Sequence, residues 1–428
     1  MSEWNQKTIC DLYRLRARIG WQGLKAHEFL DDGPYLITGT NFHDGKISWD
    51  DCYHISEARY NQDTGIQIHE NDLLITKDGT IGKTAVATNC PPKAALNSGV
   101  FVLHQLNHEL DSKYLYYVLN SHVFELFMRN ILTGSTIKHL NQEHFYKFSF
   151  TYPKQKTEQE KIAQILATVD KAISKTKAII EKYKALKEGL MQDLLVNGID
   201  KNGVIRSPKT HEYKDSPLGK IPIEWDAVPI LRLGTVLGGS TPKTNDSSNW
   251  GETHVWITPN DLSNISGKYV FSSERKITDK GLNQATRQLL PPSSFIISCR
   301  APVGYCAIVQ VPFSHNQGCK SIVPNELIVS EYLYYSLIGK KSSLERVSSG
   351  TTFLELPKKE LESFLIALPR EVKEQEVIVS RLNSIDSKIE VEMLNLSKYF
   401  ALKNGLMQDL LTHKVSVEPL LERSVENE

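Results

Sequence analysis

Ala185-Leu-Lys-Glu-Gly-Leu-Met-Gln-Asp-Leu-Leu195 returns 216 residues later as Ala401-Leu-Lys-Asn-Gly-Leu-Met-Gln-Asp-Leu-Leu411, identical at ten of eleven positions. The offset is about half of the 428 residues, so the chain is two tandem copies of one plan. At that same offset Phe148, Pro153, Glu158, Gln159 and Glu160 meet Phe364, Pro369, Glu374, Gln375 and Glu376, and Gly134 and Thr136 meet Gly350 and Thr352. Further upstream the offset drifts, as loop insertions make it do. Even so, Tyr114-Leu-Tyr-Tyr117 finds Tyr332-Leu-Tyr-Tyr335, and Leu74-Ile-Thr-Lys-Asp-Gly-Thr-Ile-Gly82 resembles Ile296-Ile-Ser-Cys-Arg-Ala-Pro-Val-Gly304. Each half begins with a region that differs between the copies and ends with one that does not.

The similar ends are helical. From Glu158 to Leu195 there is no Pro and one Gly, and Ile162, Leu166, Val169, Ile173, Thr176, Ile180, Tyr183, Lys187, Leu190 and Leu194 alternate spacings of four and three. The copy gives Ile378, Leu382, Ile385, Ile389, Glu392, Leu396, Tyr399, Lys403, Leu406 and Leu410. A period of 3.5 is a coiled-coil seam, so the two helices are expected to pack together. Each spans roughly 57 Å, at 1.5 Å per residue. Polar Thr176, Glu392, Lys187 and Lys403 on the seam reduce stability while fixing register. A twofold relation between the halves demands antiparallel helices, with the domain at each helix start at opposite ends of the rod. The competing reading is that each helix merely caps its own domain. At the helix ends, Leu190, Met191, Leu194 and Leu195 with Leu406, Met407, Leu410 and Leu411 are either core filler or two related surfaces for two copies of one partner.

The fold class expected is mixed α/β: two α/β domains separated by two long antiparallel coiled-coil helices, in a pseudo-twofold tandem repeat. The boundaries are domain 1 at 1–152, a helical spacer at 153–197, a connector and domain 2 at 198–369, a second spacer at 370–413 and a tail at 414–428. Short β-branched runs such as Phe295-Ile-Ile-Ser298 and Ala307-Ile-Val-Gln-Val311 are punctuated by Gly, Pro, Asn and Asp. One clear helix stands in each domain, Lys113 to Met128 and Glu331 to Lys341, with the Tyr-Leu-Tyr-Tyr stripe as core. Asn197-Gly-Ile-Asp-Lys-Asn-Gly203 with Arg206-Ser-Pro208 and Pro217-Leu-Gly219 suits an extended link.

Composition is that of a globular chain, 40% hydrophobic and 23% charged. No run of 18 apolar residues occurs and Met1-Ser-Glu-Trp-Asn lacks a signal-peptide pattern, so the expectation is a cytoplasmic protein with no membrane partner. Cys10, Cys52, Cys90, Cys299, Cys306 and Cys319 form no C-x-x-C pair and read as reduced, mostly buried thiols. The formal net charge is zero. Residues 1–150 carry 14 basic and 17 acidic side chains while residues 201–369 carry 19 and 15, so any nucleic-acid footprint is local. Double-stranded DNA is one partner with two related halves, and loops of small hydroxylated residues beside a base suit phosphates and base edges. Such loops are Thr133-Gly-Ser-Thr136 with Lys138 and His139, Ser348-Ser-Gly-Thr-Thr352, and Gly238-Gly-Ser-Thr241 with Lys243. The candidate residues are Gly134, Ser135, Thr136, Lys138, Ser240, Thr241, Lys243, Thr351 and Thr352. A second pair, Lys77 to Lys83 and Arg300 to Tyr305, adds Lys77, Lys83 and Arg300. Each of these loops also reads as a plain turn, and Arg14, Arg16 and Arg18 read as a basic strand face or a solvated one.

Catalytic patterns are missing from the sequence. Lys77-Asp-Gly-Thr-Ile-Gly-Lys-Thr84 ends like a phosphate-binding loop, but Lys77 stands where the template wants Gly and Ala85-Val-Ala-Thr88 reads as strand. There is no G-x-G-x-x-G, no N-P-P-[YF] or D-P-P-[YF], no G-x-S-x-G and no H-E-x-x-H, and His104 and His108 stand alone. The expectation is a non-enzyme with no catalytic residues, no metal and no cofactor.

In this arrangement the chain resembles the DNA specificity subunits of type I restriction-modification systems, over nearly its whole length. The matching residues are Gly134-Ser-Thr136 then Leu140, Glu158-Gln-Glu160 and Glu374-Gln-Glu376, Leu186 to Leu195 with Leu402 to Leu411, and Ser216-Pro-Leu-Gly-Lys-Ile-Pro222 with Trp225, Gly239, Thr241 and Pro242. The first half departs from that pattern, beginning with Arg18-Ile-Gly-Trp-Gln-Gly23 instead, so the two domains are expected to read different sequences. The resemblance implies two target-recognition domains reading a bipartite asymmetric site in double-stranded DNA. It further implies two methyltransferase subunits at the helix ends, methylating adenines at N6, and motor-nuclease restriction subunits. S-adenosylmethionine, Mg and ATP would be used by those partners. The alternative is a coiled-coil scaffold that does not read DNA.

Overall fold

The computed structural model describes residues 3–18, 23–133, 140–265, 267–300, 302–348 and 355–425. It divides into two units, Met1–Ala178 with Met393–Glu428, and Ile179–Glu392. Both long helices exist, as Lys156–Val196 and Val372–Leu411, and the division cuts each of them. Each unit therefore holds one α/β domain, the first part of one long helix and the last part of the other. This differs from a division in which helices and domains are separate segments.

In unit 1 a six-stranded sheet has the order Tyr13–Arg16, Val100–Gln105, Leu73–Thr76, Thr84–Val86, Lys46–Ile47, Phe42–His43. A three-stranded sheet has the order Tyr53–His54, Leu30–Ile37, Ala94–Leu96. The central strands are buried on both faces and read as unbroken apolar runs, whereas Tyr13–Arg16 at the edge alternates buried and exposed. A clip of Trp4–Thr8 on Ser149–Pro153, in the register Trp4↔Pro153, closes the domain.

Unit 2 repeats this frame. Gly234–Gly238, Cys319–Pro324, Ser294–Ser298, Cys306–Val309 and Tyr269–Val270 form one sheet, and Lys276–Ile277, Trp250–Ile257 and Phe313–His315 the other. Its clip is Trp225–Pro229 on Leu365–Pro369, in the register Trp225↔Pro369. In both halves the three-stranded sheet has one parallel and one antiparallel pairing.

The domain helices are shorter than the sequence suggests. Ser112–Leu119 and His122–Thr133 are separate, because the Asn120 amide donates to Thr84 Oγ1 and to the Tyr116 carbonyl, and Ser121 Oγ donates to the Val118 carbonyl. In the second copy Ser330–Ile338 and Lys341–Arg346 part at Gly339 and Lys340. Burial of Tyr114, Leu115, Tyr117 and of Tyr332, Leu333, Tyr334 and Tyr335 bears out the aromatic stripe as core.

The connector is not an extended link. Ile199 bridges to Ile205, and Tyr213–Ser216 pairs with Gly219–Pro222 as a hairpin. The Glu374 carboxylate receives Arg206 Nη1 at 2.5 Å, Trp225 Nε1 at 3.0 Å and the Ile199 N–H at 3.0 Å, which anchors the connector on the start of the second long helix. Gly198, at φ +68°, lies so close that a Cβ would stand 2.4 Å from Glu374 Oε1. In unit 1 the segment after Leu411 takes the corresponding place: Trp4 stacks on His413 and Val417 is buried in the core.

Each seam position is buried or half-buried, and ion pairs between the two helices show that they do more than cap their own domains. In unit 1 Lys403 Nζ lies 2.6 Å from Asp170 on the other helix, and Tyr117 Oη donates to the same carboxylate at 2.8 Å. In unit 2 Lys187 lies 2.6 Å from Asp386, which also accepts from Tyr335 Oη. Both lysines sit 5.6 Å from the centre of their tyrosine ring. The helices run antiparallel in each unit: in unit 2 Lys187 faces Asp386 while Ile199, beyond the first helix, reaches back to Glu374. In unit 1 Asp170 faces Lys403 while the start of the first helix lies beside the clip on which His413 stacks.

Candidate nucleic-acid interface

In each domain a hairpin flagged on sequence is bonded to a residue just beyond a second flagged loop. In unit 1 the hairpin 77–83 joins two central strands and is tied internally through Thr76, whose Oγ1 accepts from the Lys83 N–H at 2.9 Å and donates to the Thr80 carbonyl. The Gly82 N–H closes the turn on the Thr76 carbonyl, and Gly82 has φ +86°. In unit 2 Ser298 does the same. Its Oγ accepts from the Tyr305 N–H and donates to the Pro302 carbonyl, and Gly304 with φ +91° bonds the Ser298 carbonyl. Two different sequences thus build one loop.

Residues that follow the second loop meet the first. The Leu140 N–H donates to the Lys77 carbonyl at 2.9 Å, and the Leu356 N–H donates to the Cys299 carbonyl at 2.8 Å. Gly134, Ser135, Thr136, Lys138 and His139, and likewise Thr351 and Thr352, lie outside the described residues, but the residues that follow them are pinned to the hairpins. Arg300 forms an ion pair with Glu355 at 3.2 Å. Both side chains are about half exposed, so the pair is worth well under about 1 kcal/mol and yields readily to a phosphate.

The third loop joins them in unit 2. The Ser240 N–H donates to the His315 carbonyl at 3.0 Å, Thr241 Oγ1 donates to Gln317 Oε1, and Asn249 donates to the Lys243 carbonyl. Gly239 is required there, since a Cβ would fall 2.2 Å from the His315 and Asn316 carbonyl oxygens. His315 is fully buried, and that burial pulls its pKa down to about 4. Lys77 and Lys83 are half-buried and Lys243 and Arg300 exposed, so each domain places two cations beside its internally hydrogen-bonded loops. Arg14 and Arg16 point to solvent on their strand, while Arg18 is buried and donates to the Leu96 carbonyl.

The helix-end candidates are placed differently. Leu194, Met407, Leu410 and Leu411 are buried in the two cores, and Leu190, Met191, Leu195 and Leu406 pack partly against them. Among the repeat positions left in solvent are Leu186 and Leu402, half exposed, with Gly189 and Gly405 and Gln192 and Gln408. No atom lies within 4 Å of a Cβ at either glycine, so packing demands glycine at neither place. Beside this face in unit 2 a groove of about 380 Å³ is lined by Met191, Leu195, Val196, Leu218, Ile221 and Lys340.

Among the described residues no helix is long and apolar enough to cross a membrane. Cys52, Cys299, Cys306 and Cys319 are buried free thiols, Cys90 is half-buried and Cys10 exposed. His104 does not stand alone: Asp72 and His69 lie beside it, and the neighbouring Asp72 carboxylate raises its pKa. Strand register supplies that neighbour, and sequence spacing does not show it.

A family model described as the type I restriction modification DNA specificity domain matches residues 1–184 and 222–398. The chain is 40% identical over 181 residues to the type I restriction enzyme MjaIX specificity subunit of Methanocaldococcus jannaschii, an alignment covering 42% of each protein. It is 24% identical over 428 residues to the putative type I restriction enzyme MjaX specificity subunit of the same organism, covering 97% of this chain and 94% of that one. The crystal structure of a type I restriction-modification S subunit from M. genitalium superposes with a TM-score of 0.59 at 14% identity, covering 96% of each chain, which shows a shared fold.

Proposed function

The chain belongs to the type I restriction-modification DNA specificity family, and from that premise we propose that it is the subunit that reads a bipartite, asymmetric site in double-stranded DNA for a modification and restriction complex. The observation that carries this reading is the loop edge built twice. One hydrogen-bonded frame holds Lys77–Lys83 in the first domain and Arg300–Tyr305 in the second, while the residues it displays differ. A frame kept with its display changed is what two readers of two half-sites require. Each domain reads one half-site, and the helices that pass from one unit into the other set the gap between them.

The reacting chemistry belongs to partners. Two methyltransferase subunits dock at the repeated helix ends, where Leu186, Gly189 and Gln192 recur as Leu402, Gly405 and Gln408 on exposed helix surface. Glycine in a helix interior costs about 1 kcal/mol relative to alanine, so its recurrence at an open position suits close approach by a partner backbone. Those subunits bring S-adenosylmethionine, and restriction subunits bring Mg and ATP. Zero net charge on this chain accords with partners that supply much of the phosphate grip.

The test is single-molecule sequencing of methylated adenines in cells carrying this chain with its methyltransferase. One two-part motif is expected, and replacing residues 77–83 should change one part and leave the other. Methylation with no motif, or a motif indifferent to both hairpins, would leave the scaffold reading in its place.

A further inference from the structure

His69, Asp72 and His104 come together through two independent features of the first domain. The antiparallel register Val102↔Leu74, Leu103↔Leu73 carries on to set His104 opposite Asp72, the residue just before that strand. A tight turn then folds His69 back onto Asp72. The Asp72 N–H donates to the His69 carbonyl at 3.1 Å, the His69 N–H donates to Asp72 Oδ2 at 2.8 Å, and Asn71 takes φ +68°. One ligand-capable atom from each of the three side chains lies within 4.8 Å of the other two.

The ring orientations suit a cation. His104 Nε2 lies 3.2 Å from the Gly65 carbonyl, which can only accept, so Nε2 carries a proton and Nδ1 is the nitrogen turned to Asp72, where a cation would take the place of its proton. Anchoring the second ring nitrogen on a backbone carbonyl is how metal-bound histidines are oriented. His104 Nδ1 stands 3.5 Å from Asp72 Oδ1, and His69 Nδ1 3.5 Å from Asp72 Oδ2. The two contacts fall on the two oxygens of one carboxylate, each close to the about 3.3 Å that separates two ligands of a tetrahedral ion bonded at roughly 2.0–2.1 Å, and the exposed His69 ring has the freedom to close the set. Asp72 and His104 are largely buried while His69 is 70% exposed, so two ligands are fixed and the third closes from solvent.

We propose that His69, Asp72 and His104 form a binding site for one divalent metal ion of the zinc class, with water completing its shell. Two imidazoles and one carboxylate favour such an ion over calcium or magnesium. The ion would tie the His69–Asp72 turn to the neighbouring strand. His104 is also paired with Arg14 in the next strand, so the staple stiffens the domain beside the Arg14 and Arg16 side chains.

The probe is Co²⁺ titrated into the metal-free full-length chain, with Zn²⁺ then added. Expected are one Co²⁺ per chain with the visible absorption of a four-coordinate ion, its displacement by Zn²⁺, and a Tm raised by Zn²⁺. His69 is exposed and its loss leaves the fold intact, so H69A should weaken binding at least roughly 10-fold and abolish the Tm rise, as should D72N. H27A, a change of exposed histidine outside the cluster, should bind as the native chain does. Native Co²⁺ affinity in both H69A and D72N, or loss of binding in H27A equal to that in H69A, would overturn the site.

Discussion

His315 is a side chain whose surroundings set a measurable pH dependence. It is fully buried under the loop that carries Ser240 and Thr241, its Nδ1 lies 3.0 Å from the Asn316 carbonyl, and burial together with the nearby Lys320 favours the neutral ring. A histidine with a folded pKa of about 4 and an ordinary value of 6.5 in the unfolded chain stabilises the fold fully above pH 6.5 and loses that contribution as pH falls toward 4. Between pH 7.5 and pH 5.0 unit 2 should therefore lose about 2 kcal/mol, read as a fall in the urea midpoint, and H315N should remove most of that slope. An unchanged slope in H315N would mean that other groups carry the pH dependence. Two other buried residues show what the sequence could and could not say at this scale. Gln159 and Gln375 were legible as matched positions at the helix starts, but only the structure shows the reason for the match. The Gln159 amide donates to the Glu109 and Pro153 carbonyls and accepts from the Asp111 N–H, and Gln375 repeats this with Leu327, Pro369 and Val329. Each satisfies buried backbone groups that would cost about 1–3 kcal/mol apiece if orphaned.

At the level of elements, periodicity made the two long helices readable, since a 3.5-residue repeat has one structural meaning over so many turns. The β frame was less legible because central strands are buried on both faces and lack alternation, and the break at Asn120 depends on Thr84, which is remote in sequence. The seam lysines were legible as polar interruptions, while their partners Asp170 and Asp386 were not, for each lies on the other helix. Lys–Asp pairs inside an apolar seam fix register, so the helices tolerate change only in whole heptads. Seven residues inserted into both helices, after Ile173 and after Ile389, preserve the seam on either side and add about 10.5 Å, or about three base pairs at 3.4 Å each. The methylated motif should then keep both of its parts and widen its unspecified gap by about three base pairs. A gap of unchanged length in the methylation map would show that the helices do not set the spacing.

Over the whole molecule, unit 2 is one continuous segment, whereas unit 1 is built from two segments that lie far apart in sequence. Unit 1 buries Met407, Leu410, Leu411 and Val417 beside Ile162 and Leu166, so a chain ending near Thr210 lacks one wall of its first core. Such a half-chain still carries Leu186 to Leu195, almost a copy of the missing Leu402 to Leu411, but on the same rigid helix as Ile162 and Leu166, where it cannot fold back. A second half-chain can supply it. Lys187 of one copy would then meet Asp170 of the other, as Lys403 does in the intact chain, and Leu190 and Leu194 would take the places of Leu406 and Leu410. Residues 1–210 should therefore sediment as a dimer with a Tm that rises with protein concentration, and K187E should shift the species toward monomer by setting two carboxylates against each other. The reversal pair K187E with D170K would restore opposite charges and recover the dimer. A half-chain that stays monomeric and melts independently of concentration would mean that unit 1 stands without the second helix, and that the repeated eleven residues serve a partner alone.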